Sequence, residues 1–219
     1  MAYIDFLSAI HKSTKRDYLA RVNEHPKADA ITRAKKYDFD YWDGDRKFGY
    51  GGFRYDGRWL KVAQALADHY KLKAGDRILD IGCGKGFLLY DLTQVVPGIE
   101  VKGIDISDYA VKNSKEEIRS RLQVGNAADL PFEDKSFDLV ISINTIHNLP
   151  ADECKQALGE IQRVTKKNAF ITVDAYRDDE EKKRMFMWNL TAQTILSVDE
   201  WVELFNDAGY QGDYYWFIP

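Results

Sequence analysis

The sequence contains few of the residues that build disulfide scaffolds or zinc sites. Only two of its 219 residues are cysteine, and neither Cys83 nor Cys154 belongs to a CxxC pair or to a Cys/His cluster. The sequence therefore argues against a disulfide framework and against a zinc site, and we expect no metal. Each cysteine is interpreted as a small buried residue rather than a reactive thiol.

Basic surface and long apolar runs are also lacking. The net charge of -4 and the pI near 5.6 give no excess of the cations that neutralise nucleic-acid phosphates, so we expect no nucleic-acid partner. No apolar run reaches the length of a membrane span, and the first residues lack the apolar core of a signal peptide. We therefore expect a cytoplasmic protein without membrane contact. The oligomeric state is left open.

From Arg77 onward, short apolar strands alternate with helical patterns. This alternation predicts a doubly wound, mainly parallel sheet with helices on both faces, an α/β fold. Residues 59–219 are assigned to this domain, and residues 1–58 to an N-terminal helical cap followed by an aromatic lid. The predicted strands are RILDIG, VKGIDI, LQVGNA, FDLVISIN, AFITVDAY and GDYYWFIP.

The turn after the first predicted strand, DIGCGKG, is the place where such a sheet binds its ligand. Gly82, Gly84 and Gly86 give the spacing GxGxG rather than the GxGxxG of dinucleotide-binding proteins, and no GxxxxGK[ST] phosphate loop is present. Two acidic residues accompany the turn: Asp80 precedes it and Asp105 ends the second strand. A carboxylate has two acceptor oxygens, which suit a vicinal diol such as ribose.

These motifs resemble the class I S-adenosylmethionine (SAM)-dependent methyltransferases, especially the small-molecule branch that includes the ubiquinone and menaquinone methyltransferases. ILDIGCGKG is similar to the first motif of that family, VKGIDIS to its second, and GNAADLPFEDKSFDLVISINTIHNL to its third strand, adenine loop and fourth strand. The resemblance covers roughly residues 60–210 and implies SAM as cofactor. The three glycines would let the backbone approach the methionyl part of SAM.

The resemblance also implies roles for individual side chains. Asp105 would accept hydrogen bonds from the ribose hydroxyls, and Ile106 would lie against adenine. Asn126 stands where the family often has Asp, and its side-chain oxygen can accept from the adenine amino group. The full set of expected cofactor contacts is Asp80, Gly82, Gly84, Gly86, Asp105, Ile106, Asn126, Ala127 and Asn144.

Methyl transfer from a sulfonium is an in-line displacement that depends mainly on proximity and alignment. A hydroxyl acceptor would benefit from a base, and His147, just beyond the fourth strand, is the candidate catalytic residue. The alternative is a histidine hydrogen-bonded into its loop without a role in proton transfer. We expect a small polar acceptor methylated at nitrogen or oxygen. Alternatives are an NAD(P)-dependent oxidoreductase and a SAM-binding regulatory protein without turnover.

The stretch FGYGGFRYDGRW, residues 48–59, cannot form a phosphate cradle, because no strand leads into it. We interpret it as a lid over the cofactor site that helps to select the acceptor. Its expected substrate contacts are Tyr50, Tyr55, Arg58 and Trp59. The alternative is that these aromatic residues pack the cap onto the sheet. The insertion at 177–196, with Met185, Met187 and Trp188, is a second possible acceptor wall.

The last predicted strand, at 212–219, stands where the resembled family has a hairpin of two antiparallel strands. No second strand is evident beside it. We therefore expect a sheet of six strands, or a seventh supplied by an irregular segment.

Overall fold

A computed structural model describes residues 1–11, 27–49 and 54–218 of the chain. The candidate substrate residue Tyr50 and part of the predicted N-terminal helical cap lie outside the described residues.

The described residues form a parallel seven-stranded sheet that confirms the predicted α/β architecture. The strand order is β3-β2-β1-β4-β5, and both β6 and β7 pair with β5. Every pairing between these strands is parallel. The strands are β1 (Arg77–Ile81), β2 (Glu100–Asp105), β3 (Leu122–Val124), β4 (Phe137–Ile143), β5 (Thr165–Tyr176), β6 (Leu196–Ser197) and β7 (Asp213–Phe217).

Helices connect these strands and cover both faces. Two short helices lie between β2 and β3, and the side chain of Ser107 caps the first of them. No helix in the described parts of the chain is long and apolar enough to cross a membrane. The α-helices are α1 (Ser8–His11), α2 (Lys27–Ala34), α3 (Phe39–Trp42), α4 (Leu60–Tyr70), α5 (Phe87–Val95), α6 (Asp108–Lys112), α7 (Glu116–Arg119), α8 (Ala151–Val164), α9 (Asp179–Trp188) and α10 (Val198–Asp207).

Alternation along the strands divides the apolar core between the two faces of the sheet. In β1, Leu79 and Ile81 pack into one cluster with α8 and α10, whereas Ile78 packs into the other with α4 and α5. Successive side chains of a strand point to opposite faces, so a strand buried on both sides is apolar throughout. This burial fixes β1 at the centre of the sheet and its carboxyl end at the centre of one edge.

The described residues form seven strands, so the first of the two alternatives expected from the sequence, a sheet of six, is wrong. Six longer strands are joined by the two-residue strand β6, which pairs with the end of β5. Among the described residues no antiparallel strand follows Gly209, and β7 runs parallel to β5. Helix α10 begins with a capping box, in which the side chains of Ser197 and Glu200 accept hydrogen bonds from each other's backbone N–H groups.

The N-terminal segments pack closely on the sheet and its helices. Tyr3 forms a bridge with Tyr214 of β7, and the rings of Phe6 and Phe170 are 4.9 Å apart. Helix α2 and Phe48 share a small apolar cluster with Leu190, which follows α9. Between the cap helix α2 and helix α4 the described residues contain α3 and a short 3₁₀ turn at Arg46–Phe48. The division at residues 58 and 59 stays a prediction.

Candidate functional site

A cavity of about 660 Å³ lies at the carboxyl ends of the parallel strands. Its lining runs from Asp105 at the end of β2, past β1 and β4, to Asp174 near the end of β5. An opening at this edge is where open α/β sheets bind their ligands. The sequence-predicted residues that line it are Arg58, Trp59, Asp80, Gly82, Gly84, Asp105, Ile106, Asn126, Ala127, Asn144 and His147.

Asp105 is a buried carboxylate held by two backbone N–H groups. Oδ2 accepts from Gly84 at 2.7 Å and Oδ1 accepts from Ser107 at 2.8 Å. These bonds lower the pKa of Asp105, but burial has the larger effect and raises it overall. Each oxygen keeps a second lone pair, so a fixed carboxylate could still accept the two hydroxyls of a ribose.

Asp80 is a second buried carboxylate on the same wall. Its side chain has no hydrogen-bond partner among the described residues, and it is only 4% exposed. Burial, reinforced by the negative charge of Asp105, raises the pKa of Asp80 to about 7. Burying a charged group without a partner is costly, so this site is electrostatically suited to a cationic ligand. SAM carries such charges on its sulfonium and its amino group.

The three glycines of the turn after β1 have three different reasons to lack a side chain. All have positive φ, between +52° and +76°. A Cβ on Gly82 would lie 2.0 Å from Oγ1 of Thr145, and a Cβ on Gly84 would lie 2.7 Å from Cη2 of Trp42. Trp42 also lines the cavity. The close approach at Gly84 is therefore made by the indole of the cap.

Gly86 does not fit the role expected for it. It precedes α5 and does not line the cavity, and a Cβ there would meet Ile118 at 2.7 Å and Leu122 at 2.9 Å. Its glycine is required by the left-handed turn and by packing of the apolar core. We therefore do not retain Gly86 as a cofactor contact.

The expected adenine side of the cavity contains one apolar surface and one tight loop. Ile106 is 58% exposed although it lines the cavity, so its side chain offers an open apolar face. The Asn126 side-chain oxygen accepts from the N–H of Ala128 at 2.9 Å, which shapes the loop. That oxygen has one further lone pair for an adenine amino group. Ala127 lies beside it in the lining.

Asn144 adopts a left-handed backbone conformation, with φ of +51°, immediately after β4. Its side-chain oxygen accepts from the hydroxyl of Thr172 at 2.7 Å, and its N–H donates to the same hydroxyl at 2.8 Å. Left-handed conformations of non-glycine residues are uncommon and need support from their surroundings. The two hydrogen bonds to Thr172 support this conformation of Asn144, which turns the chain so that Thr145 reaches Gly82 and His147 returns to the cavity.

The cap covers the cavity through a segment that precedes the predicted lid. Trp42 of α3 donates from Nε1 to the Ser107 hydroxyl at 2.9 Å. Next to it, Asp43 pairs with Lys85 of the glycine turn at 2.6 Å, although Lys85 is only 7% exposed. These contacts connect α3 to both cofactor motifs. Sequence reasoning gave the Asp43–Lys85 pair no role.

Within residues 48–59, the structure divides the predicted substrate contacts. Trp59 and Arg58 line the cavity, but the Arg58 guanidinium is held by Asp56 at 2.5 Å. Tyr55 does not line it: the hydroxyl donates to Asp91 on α5 at 2.7 Å, and the ring packs against Tyr90. Tyr55 is therefore corrected from an acceptor contact to a contact that attaches this segment to α5.

His147 is almost fully buried in the cavity wall, in a 3₁₀ turn at Ile146–Asn148. Nδ1 accepts a hydrogen bond from the backbone N–H of Asp174 at 3.1 Å. Burial lowers the pKa of His147 to about 3, so the imidazole is neutral. A neutral imidazole has one lone pair, and the backbone N–H already uses it. Its other nitrogen, Nε2, carries the proton and cannot receive another from an acceptor.

Asp174 is a cavity residue that sequence reasoning missed. Its carboxyl is 2% exposed, and Oδ2 lies 3.6 Å from Nε2 of His147. Oδ1 is buried without a hydrogen-bond partner among the described residues. Burial raises the pKa of Asp174 to about 8. The signal was present in the sequence, because Asp174 is the acidic residue near the end of the apolar strand ITVDAY, whose carboxyl end reaches the same edge.

The insertion after β5 contributes one wall residue of the three considered. Trp188 lines the cavity, and its ring lies 4.9 Å from that of Phe217, the last residue of β7. Met185 is fully buried behind them in the same apolar cluster, and Met187 is 40% exposed. The aromatic wall therefore stands beside Asp174, whose register partner in β7 is Phe217.

Fold and site together define an α/β protein with a cavity at the carboxyl ends of its parallel strands, and comparison with known proteins gives its class. Residues 72–209 match the family described as a methyltransferase domain. This region is more than half of the chain. The chain belongs to this family, the class I SAM-dependent methyltransferases, and SAM is its cofactor. This finding decides against an NAD(P)-dependent oxidoreductase.

Curated relatives cover only part of the chain. A demethylmenaquinone methyltransferase of Symbiobacterium thermophilum is 35% identical over 54% of this chain and 50% of its own length. A tRNA (carboxymethyluridine(34)-5-O)-methyltransferase of Arabidopsis thaliana is 33% identical over 66% of this chain and 34% of its own length. The chain thus spans half or less of these two relatives.

Solved structures share the fold. A complex between the Haloferax volcanii Trm112 methyltransferase activator and a methyltransferase contains a chain with a TM-score of 0.57 and 24% identity. That match covers 90% of this chain and 77% of the other. A SAM-dependent methyltransferase from Methanosarcina mazei has a TM-score of 0.51 and 25% identity, covering 64% of this chain and 82% of the other.

Proposed function

We propose that the protein transfers the methyl group of SAM to a nitrogen or oxygen atom of a small polar acceptor. The observation that carries this proposal is the extent of the cavity, which continues from Asp105 to Asp174 as one space. The end at Asp105 has the features expected of a nucleoside pocket. The end at Asp174, with Trp188 and Phe217, is not needed for the nucleoside and offers room for an acceptor.

In this proposal the cofactor lies along the ends of β1 and β2. Asp105 accepts the ribose hydroxyls, Ile106 lies against adenine, and Asp80 faces the cationic methionyl part. When bound, SAM supplies an electrophilic methyl group. The chain's part is to exclude water and to align the acceptor, which is the main requirement of an in-line displacement. Trp42 and Trp59 provide the water-excluding cover.

Two features favour a small acceptor over a nucleic acid. The net charge of -4 gives no overall excess of cations to neutralise a phosphate backbone, and Trp42 of α3 in the cap lines the cavity. A tRNA acceptor is the second candidate, because the Arabidopsis relative is named for tRNA methylation. The cytoplasmic location, expected from the sequence, belongs to the same proposal.

Radiolabelled SAM can separate the two candidates. The full chain is incubated with SAM labelled on its methyl group and with either the small-molecule fraction of a cell extract or total tRNA. We expect label in the small-molecule fraction only, and less of it with the Asp105→Ala variant at a SAM concentration below saturation. Label that enters tRNA instead would replace the proposal with the second candidate. SAM binding without transfer to either fraction would favour a regulatory protein.

A further inference from the structure

The cavity contains a carboxyl group whose presence the fold does not explain. Asp174 is 2% exposed, and Oδ1 has no hydrogen-bond partner among the described residues. A buried carboxyl oxygen without a hydrogen-bond partner costs stability. A group of this kind is explained if a ligand supplies the missing donor.

The surroundings hold Asp174 in one position. Its N–H donates to Nδ1 of His147 at 3.1 Å, and its carbonyl accepts from Nε1 of Trp201 at 2.9 Å. Both backbone groups are thus used, and β5 is paired with β7 at this residue. The side chain therefore starts from a rigid strand. This is the arrangement that places a functional group accurately.

His147 shows which carboxyl oxygen of Asp174 faces a donor within the protein and which does not. Because Nδ1 accepts from the backbone, Nε2 carries the hydrogen and faces Oδ2 of Asp174 at 3.6 Å. Oδ2 is therefore oriented toward a donor within the protein, whereas Oδ1 is not. His147 is a positioning residue in this arrangement.

We propose that Oδ1 of Asp174 accepts a hydrogen bond from the N–H or O–H of the methyl acceptor and takes its proton during transfer. This inference rests on the proposed function and names the acceptor class: an amine or an alcohol with an apolar, ring-sized body beside the donor. The rings of Trp188 and Phe217, whose centroids are 4.9 Å apart, provide the surface for that body. An acceptor carrying a carboxylate next to its nucleophile is disfavoured by like-charge repulsion.

The step balances in atoms and charge. The acceptor's nitrogen or oxygen forms a bond to the methyl carbon while the bond between that carbon and the SAM sulfur breaks, and the electron pair of the broken bond stays on sulfur. The acceptor's proton passes to Oδ1. Burial keeps the pKa of Asp174 near 8, and the positive charge of SAM in the same cavity favours its ionised form.

The test uses the full chain saturated with S-adenosylhomocysteine and three probes of nearly equal size: benzylamine, benzyl alcohol and toluene. Affinities are measured by ligand-observed NMR for the unchanged chain and for Asp174→Leu, Asp174→Asn and Asp207→Asn. Leucine matches the shape of aspartate without its acceptor, and asparagine keeps one acceptor without the charge. Asp207, exposed on α10, is the matched control for the loss of a carboxylate.

We expect benzylamine and benzyl alcohol to bind the unchanged chain and the Asp207→Asn variant at least about tenfold more tightly than toluene. Asp174→Leu should abolish this preference. Asp174→Asn should keep part of it for the alcohol and little for the amine. The proposal is overturned if the three probes bind alike, if none binds, or if Asp174→Leu keeps the preference.

Two further measurements separate this inference from the proposed function. Calorimetry with S-adenosylhomocysteine reports whether each variant is folded and keeps the cofactor pocket. The transfer assay with labelled SAM tests the small-acceptor proposal independently. Intact cofactor binding with no probe preference would reject the role of Asp174 alone, whereas label found only in tRNA would reject the proposed function alone. Removing a carboxyl that costs stability should also raise the thermal midpoint of Asp174→Leu.

Discussion

The indole of Trp42 lies against the backbone of Gly84, so closely that a Cβ on Gly84 would come within 2.7 Å of Cη2. Trp42 belongs to the cap and Gly84 to the turn after β1. The contact thus joins the cover of the cavity to the element that is expected to hold the methionyl part of SAM. It is secured by the hydrogen bond from Nε1 of Trp42 to Ser107.

Replacing Trp42 should therefore open the cofactor end of the cavity. We expect Trp42→Ala to raise the dissociation rate of SAM by about tenfold, since loss of a large aromatic contact is worth more than about 1 kcal/mol. Stopped-flow displacement of bound SAM measures this rate. Trp42→Phe, which keeps an aromatic ring but loses the hydrogen bond, is the control. Its dissociation rate should lie between those of the unchanged chain and Trp42→Ala. Equal rates in all three would show that the cap does not cover SAM.

Asp105 should dominate the affinity for SAM. A hydrogen bond to a charged group contributes roughly 1.5–3 kcal/mol, so Asp105→Ala should weaken binding by at least about tenfold. Calorimetry measures the affinity, and NAD serves as a competitor that should have no effect. The exposed Asp207→Asn variant is the matched control. Unchanged affinity in folded Asp105→Ala would reject the ribose assignment.

The binding of SAM should depend on pH through Asp80. In the ligand-free protein the Asp80 carboxyl stays protonated up to about pH 7, because burial and the charge of Asp105 raise the pKa of Asp80. A cationic ligand lowers that pKa, so binding releases a proton and affinity rises as the pH increases through about 7. Calorimetry in buffers of different ionisation enthalpy counts the protons. Asp80→Asn should remove the pH dependence. Proton release that persists in that variant would show that another group loses the proton.

His147 should affect stability in mild acid. Its pKa is lowered to about 3 in the folded protein, whereas an unfolded histidine titrates near about 6.5. The unfolded state therefore binds the proton first, and the stability due to neutral His147 is lost as pH falls below about 6.5. Denaturant unfolding at pH 7 and pH 5 should show a larger decrease for the unchanged chain than for His147→Gln. Equal decreases would contradict the buried neutral state.

The catalytic role of His147 can be tested separately. Because its lone pair is already bonded to the N–H of Asp174, we expect His147→Gln, which can offer the same acceptor, to keep most activity. His147→Ala leaves that N–H unsatisfied and should cost about 1–3 kcal/mol of stability. A loss of a hundredfold or so in kcat for the glutamine variant, with the fold intact, would restore His147 as the base.

Trp59 and Tyr55 form a pair of variants that separates a cavity wall from an attachment point. Trp59→Ala should raise the acceptor KM with a smaller effect on SAM affinity. Tyr55→Phe should instead lower stability by about 1–3 kcal/mol, because Asp91 loses the hydroxyl that donates to it at 2.7 Å. Steady-state kinetics and thermal unfolding of both variants provide the comparison. A raised acceptor KM in Tyr55→Phe would return Tyr55 to the acceptor site.

The order of elements and the cofactor edge could be predicted from local patterns. Apolar strands buried on both faces have a continuous hydrophobic sequence, and the alternation of these strands with helices leaves a parallel sheet as the consistent arrangement. The carboxyl ends of such strands meet at one edge, which is why Asp80 and Asp105 could be expected together there. The capping box of α10 is likewise a local pattern that needs no tertiary contact.

The tertiary structure alone decided what each residue faces. Gly84 and Gly86 are two positions apart in the same motif, yet one meets Trp42 and the other meets core residues Ile118 and Leu122, because the chain turns between them. Tyr55 and Trp59 are only four positions apart, yet Tyr55 contacts α5 whereas Trp59 lines the cavity. The role of His147 depends on a backbone N–H 27 residues away. Composition and spacing specify elements, whereas partners that are distant in sequence are fixed only when those elements pack.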